Sequence, residues 1–278
     1  MSTDLRPKQP SDELAGADSA NHAFDARRNS DKPLWVRLAW LPITLLLVMM
    51  VVFAGANPRD FPDSPALRLA LNFAFSTMIS LFVAYLVGRS FLARSTPGLL
   101  LLGCGVVLWG ASGMVPTIVT RVDANVNVTI FSFGACLAAL CHLAGVSLSL
   151  RPKRALSPSG VWLASGYTVA VTALALVSIS TIDGMFPIFF IQGRGGTPVR
   201  QLVLGSAIAM FALAAILLRT TNRKSLSPFT YWYSYALAAI AVGLLGTLFP
   251  SSFGSALFWT GRAGQWLGGV YMLIAAIA

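Results

Sequence analysis

Long apolar blocks separated by brief polar interruptions make up most of this chain. Reading for the ~20 mostly apolar residues needed to cross a ~30 Å hydrocarbon core gives eight runs, at 38–56, 67–88, 98–119, 127–150, 160–182, 199–219, 229–249 and 255–278. The breaks include NPRDFPDSP, RSFLARSTP, TRVDAN, RPKRALSPS, RTTNRKSLSP and PSSFG. No run alternates with the period of two that marks a barrel strand, and backbone in hydrocarbon must satisfy its own hydrogen bonds, so each run is predicted to be helix. Pro97, Pro158, Pro198 and Pro228 follow breaks and suit the first turn of the next helix. The predicted fold is all-α: a polytopic transmembrane helix bundle of about eight spans over residues 34–278.

Charge sharpens that picture. Only 11% of the 278 residues are charged, against about 25% in a soluble domain, and mean hydropathy is +0.72. Six of the ten acids fall within residues 1–33, a polar stretch rich in Pro, Ser, Ala and Asp. That stretch lacks the apolar core of a signal peptide and reads as a disordered cytoplasmic tail. The net charge of +10 raises the question of nucleic acid. The bases sit at the ends of apolar runs, however, which is the membrane pattern. With the N-terminus inside, fourteen Lys and Arg face the cytoplasm and five (Arg59, Arg68, Arg121, Arg194 and Arg200) face outward. Both ends are therefore expected in the cytoplasm, with the chain multi-pass in the inner (cytoplasmic) membrane.

The apolar runs hold few groups able to do chemistry. No Walker loop, HExxH or GxSxG occurs, so no enzyme site is expected within the chain, and no cofactor. Apart from Asp183, near the outer end of the fifth run, no carboxylate lies within a run. That weighs against an ion-coupled transporter, which places carboxylates at mid-membrane. Arg262 is the informative exception. It lies about eight residues into the last run, on the order of 12 Å from its outer end. An arginine there snorkels to the headgroups or faces an internal polar cavity. Gln265 and Trp259 are one turn away on the same face. With Arg200 and Asp183 they form the candidate ligand-binding set, able to hold an anionic or polar ligand.

His142, Cys141 and Cys104 lie at similar depth and are weak candidates for a metal site. Adjacent helix residues point ~100° apart, and no CxxC or CxxxH spacing occurs, so no metal is expected. The loop DGMFPIFFIQGRGGTPVRQ combines Phe186, Phe189 and Phe190 with Gly193, Gly195 and Gly196. It either lies in the membrane interface or folds back over a cavity. Gly264 and Gly268, with Gly103, Gly110 and Gly113, allow close helix approach.

Four stretches carry a family likeness: FVAYLVGRSFLA (82–93), GLLLLGCGVVLWG (98–110), FFIQGRGGTPVRQLVLG (189–205) and FWTGRAGQWLGGVYMLIAA (258–276). Residues 66–278 resemble the multi-span N-terminal sensor regions of bacterial and archaeal signalling proteins, in which the membrane region precedes PAS domains and a histidine kinase. The resemblance implies a membrane signal-input module. No PAS segment, H-box or ATP-binding motif is present, and the final run ends without basic residues after it, so the output domain is expected downstream or in a partner. Expected partners are the lipid bilayer, a second copy of the chain and a cytoplasmic output domain or partner kinase, with no nucleic acid. A small transporter or permease and a ligand-free scaffold are the alternatives.

Overall fold

Where the chain is apolar it is helical. The computed structural model describes residues 34–56, 64–119, 123–150, 155–221, 227–250 and 252–278. The tail at 1–33 and the bases Arg59, Arg121, Arg151, Lys153, Arg154, Arg223 and Lys224, used above for orientation, lie outside the described residues.

The chain divides after Pro42 into two units, and each has its own character. In the first, α1 (Leu34–Arg37) is a single turn. A bend follows in which Leu41 N donates to Leu38 O at 2.9 Å. The second unit begins within α2 (Leu41–Ala56). A continuous rod comes next, made of α3 (Pro65–Asn72), a π-helical segment (Phe73–Met78) and α4 (Ile79–Arg94). Then come α5 (Pro97–Val119), α6 (Ala124–Ser149), α7 (Ser159–Ile182), a hairpin of β1 (Phe190–Ile191) and β2 (Gly195–Gly196), α8 (Pro198–Thr221), α9 (Pro228–Leu248) and α10 (Ala256–Ile277).

Local chemistry sets the helix ends. Ser64, Ser227 and Ser255 are N-caps whose hydroxyls accept from Leu67 N (3.3 Å), Thr230 N (3.2 Å) and Phe258 N (3.2 Å). Asp123 caps α6 by accepting from Asn125 N at 2.8 Å. Each side chain satisfies one of the orphan donors of a first turn. Pro97, Pro198 and Pro228 open their helices as expected, whereas Pro158 is the residue before α7. Within the helices Thr129, Ser132 and Ser178 donate to the carbonyls four residues back, at 2.7–2.8 Å. Their hydroxyls are thus satisfied without water.

Among the described residues, six helices are long and apolar enough to cross a membrane: Ala66–Arg94, Pro97–Ile118, Ala124–Ser149, Ser159–Ile182, Pro198–Thr220 and Pro228–Leu248. The sequence predicts two more spans, and both are helices. α2 is only 16 residues long, or ~24 Å. α10 has the length, at 22 residues, but its glycines, Arg262 and Gln265 dilute its hydropathy.

Glycine decides how the last helices pack. A Cβ on Gly243 would lie 2.5 Å from Gln265 N and 2.7 Å from Gly261 O. One on Gly264 would lie 2.8 Å from Gly243 Cα, and one on Gly268 would lie 2.5 Å from Ile240 Cγ1. Hence α9 and α10 touch backbone to backbone. The opposite extreme is α7, whose most apolar window is 11% buried against 78% for α9, which leaves α7 open to lipid. Tyr167 tethers α7 to the rest by donating to Ala84 O at 2.8 Å.

Candidate ligand cavity

Helix direction places the polar interior at one end of the bundle. The beginnings of α3, α6, α8 and α10 and the last turns of α5 and α9 meet there, and each contributes a polar side chain or carbonyl. At their centre Arg262 is 5% exposed. Its Nη1 donates to Gln265 Oε1 at 2.6 Å, and its Nη2 donates to Asn72 Oδ1. The guanidinium also lies 5.4 Å from the centroid of the Phe131 ring. Asn72 ends α3 just before the π segment. Its Oδ1 also accepts from Trp266 Nε1 at 3.3 Å, and its Nδ2 donates to Gly113 O at 3.3 Å. These partners fix which way the amide faces. A π turn placed here fits the frequent occurrence of such segments at functional sites.

Gln265 extends the network by donating from Nε2 to Gly243 O and to the Thr247 hydroxyl, both at 3.4 Å. That hydroxyl in turn donates to Leu244 O at 2.9 Å. Arg200, also 5% exposed, donates from Nη2 to Thr247 O at 2.6 Å and stands 5.4 Å from the Phe190 ring centroid. One chain of polar contacts therefore runs from Trp266 through Asn72, Arg262, Gln265 and Thr247 to Arg200.

Beside this chain is a cavity of about 40 Å³. A single water needs ~10–15 Å³, so several fit. Arg68, Arg200 and Arg262 line it, together with Asn72, Asn127 and Thr247. Phe131, Phe253 and Phe258 form an aromatic wall, and Arg68 lies 4.9 Å from the Phe253 centroid. No carboxylate is among the described residues that line it. Arg200 Nε and Nη1 and Arg262 Nε are buried without a hydrogen-bond partner. Native interiors rarely leave buried donors unmatched, and an arginine in a membrane interior is costly unless something compensates it.

The glycine-rich loop folds inward. Asn125 Oδ1 accepts from Phe189 N at 2.7 Å and Phe190 N at 3.0 Å. Both rings are buried against Val128. Phe190 stacks on the cavity-lining Phe253 with centroids 5.4 Å apart. The turn needs Gly193 and Gly195, whose φ angles of +81° and +92° suit glycine. The loop thus buries Phe189 and Phe190 while Met185, Ile188 and Ile191 stay exposed, and none of residues 183–197 is among those lining the cavity.

The sequence-predicted residues are placed as follows. Arg262, Gln265 and Arg200 share the network. Trp259 sits on the same helix, its ring 6.2 Å from that of Trp266, but it does not line the cavity. Asp183 is the exposed C-cap residue of α7, also outside the lining. Asn72, Arg68, Thr247 and Asn127 were not anticipated as site residues. The spacing of Arg68 and Asn72, i to i+4 in an apolar run, is the signal that would have found two of them.

His142 packs in the interior, with Nδ1 2.9 Å from the Tyr233 hydroxyl. Gly105 makes room for it, since a Cβ there would be 3.0 Å from His142 Nε2. Cys104, Cys136 and Cys141 are free thiols. Among the described residues no group of three or more His, Cys, Asp or Glu side chains is placed to hold a metal ion.

Comparison of the chain with protein-family models, with curated proteins and with solved structures finds no match.

Proposed function

We propose that this chain is a membrane signal-input module: a bundle crossing the inner membrane eight times with both ends in the cytoplasm. The arginine-lined cavity receives a signal near the outer face, and α10 transmits it to a cytoplasmic output of the kinase type in a dimer. The observation that carries this reading is the polar chain through Arg262. It ties α10 to α3, α9 and, through Thr247, to α8, so a change at the cavity acts on the helix whose far end is cytoplasmic in this topology. The gathering of cavity residues at alternate helix ends supports the alternating direction of the spans, and the Lys and Arg excess in the sequence supports their orientation. Met50 buried beside Gly246 supports counting α2 as part of the bundle, and α10 lies along α9 over the glycine seam.

A switch needs two packings with different affinity for the signal. Distances between spin labels at the start of α9 and at Ala278 report those packings directly. Two populations are expected in the full chain in nanodiscs, with their ratio changed by Arg262→Gln. A single distance, identical in both proteins, would overturn the signal-input reading in favour of a rigid scaffold. Anion flux into liposomes containing the purified protein would overturn it in favour of a permease.

A further inference from the structure

From the unmatched donors we infer that the cavity binds a compact oxyanion, of the size of a short carboxylate or an inorganic phosphate. The inference rests on reading this cavity as the input site, and it names what enters.

Charge comes first. The side chains of Arg200 and Arg262 are each 95% buried, and among the described residues that line the cavity beside them there is no carboxylate. Their fixed partners are neutral: an asparagine, a glutamine and a backbone carbonyl. These contacts orient Arg200 and Arg262 without neutralising them; Arg68, which has contacts of its own, also lines the cavity. An anion supplies what the lining lacks.

Donor geometry comes second. Arg200 Nε and Nη1 and Arg262 Nε are buried with no partner, while the remaining guanidinium nitrogens are engaged. The open positions belong to two different side chains. An acceptor able to use them together needs several oxygens a few ångströms apart, which an oxyanion has and a halide lacks. Asn127 adds an amide to the same lining.

Size comes third. A volume of about 40 Å³, on the order of three waters at ~10–15 Å³ each, suits a compact group better than a sugar or nucleotide. The aromatic wall of Phe131, Phe253 and Phe258 tolerates the methyl of a short carboxylate. The same oxyanion chemistry has two sources: a free anion from the outer aqueous phase, or the phosphate of a lipid headgroup reaching between α3 and its neighbours.

The test uses the full chain purified in maltoside detergent and freed of phospholipid. Thermal midpoints are followed while sodium acetate, sodium phosphate or sodium chloride is added at constant ionic strength. In a parallel arm, dihexanoyl phosphatidic acid is added to the same protein. A saturable rise with acetate or phosphate, absent with chloride, is expected. It should be about tenfold weaker or more in Arg200→Gln, as loss of hydrogen bonds to a charged group implies. Arg68→Gln, at a half-exposed position, gives a second variant should Arg200→Gln fold poorly. A rise with the phosphatidic acid alone assigns the oxyanion to a lipid headgroup. No rise with any of them, or rises as large in chloride or in both variants, overturns the inference. Saturable binding that leaves the α9–α10 label distances unchanged retains the oxyanion and removes the signal-input reading. A two-population bundle indifferent to every oxyanion does the reverse.

Discussion

Replacing Gly243 by alanine tests whether the α9–α10 seam sets the geometry of the site. The added Cβ would stand 2.5 Å from Gln265 N, 2.7 Å from Gly261 O and 2.8 Å from Gln265 Cγ. Two of these three are backbone atoms, so no side chain can swing aside to relieve the clash. Restoring ordinary contact, about 3.4 Å from 2.5 Å, requires the helices to part by about 1 Å along the seam. A gap of ~0.5–1 Å forfeits a quarter to a half of the dispersion energy of each facing pair. Overpacking of this kind costs ~1–3 kcal/mol, which at about 2–4 °C per kcal/mol for a chain of this size lowers the thermal midpoint by about 2–12 °C. The same movement lengthens the 3.4 Å contact from Gln265 Nε2 to Gly243 O and loosens the partner of Arg262. Gly205→Ala is the control, because nothing lies within 4 Å of its would-be Cβ. There alanine gains ~0.5–1 kcal/mol from helix propensity. The assay is thermal unfolding in detergent followed by tryptophan fluorescence. A Gly243→Ala protein as stable as the parent, with Gly205→Ala less stable, would refute the close-packed seam.

Asn72→Asp places a carboxylate within reach of the Arg262 guanidinium and supplies the missing counter-charge from inside the protein. The thermal midpoint without added anion should rise and the further rise on adding phosphate should shrink, both read in one titration; a midpoint that falls would count against the charge argument. Asn125→Ala removes the acceptor shared by Phe189 N and Phe190 N, and a buried donor left unmatched costs ~1–3 kcal/mol. Faster hydrogen exchange confined to residues 186–197 is the expected outcome, and exchange unchanged there would show that the hairpin is held by its rings alone.

Much of this arrangement was legible in the chain, for reasons that also explain the omissions. Arg262, Gln265 and Arg200 stand out because a charged or amide side chain in an apolar run must be accommodated, and the structure accommodates all three in one network. Asn72 and Thr247 escaped notice because a small polar residue in a membrane helix is ordinarily satisfied by its own backbone, as Thr129 and Ser132 are here. Only the fold reveals that Asn72 instead bonds Arg262 and Trp266, some 190 residues away. The π segment at Phe73–Met78 had no counterpart in the hydropathy pattern, since its wide turns keep the same apolar residues and differ only in hydrogen-bond register. The loop around Phe190 was ambiguous for the opposite reason. Its aromatic residues suit a headgroup belt and a buried cap equally well, and what decides is Asn125, which captures two of its amides.

The cluster of guanidinium groups has a consequence for the membrane as an insulator. A polar cavity inside a helix bundle is a weak point, because water entering it offers protons a path inward. Here the cavity is lined by Arg68, Arg200 and Arg262. Fixed positive charge in a narrow, low-dielectric passage raises a barrier to protons and metal cations, as it does in water channels that must not leak them. A bundle of this kind can therefore hold a polar, arginine-lined interior near one end without opening a path for protons or metal cations.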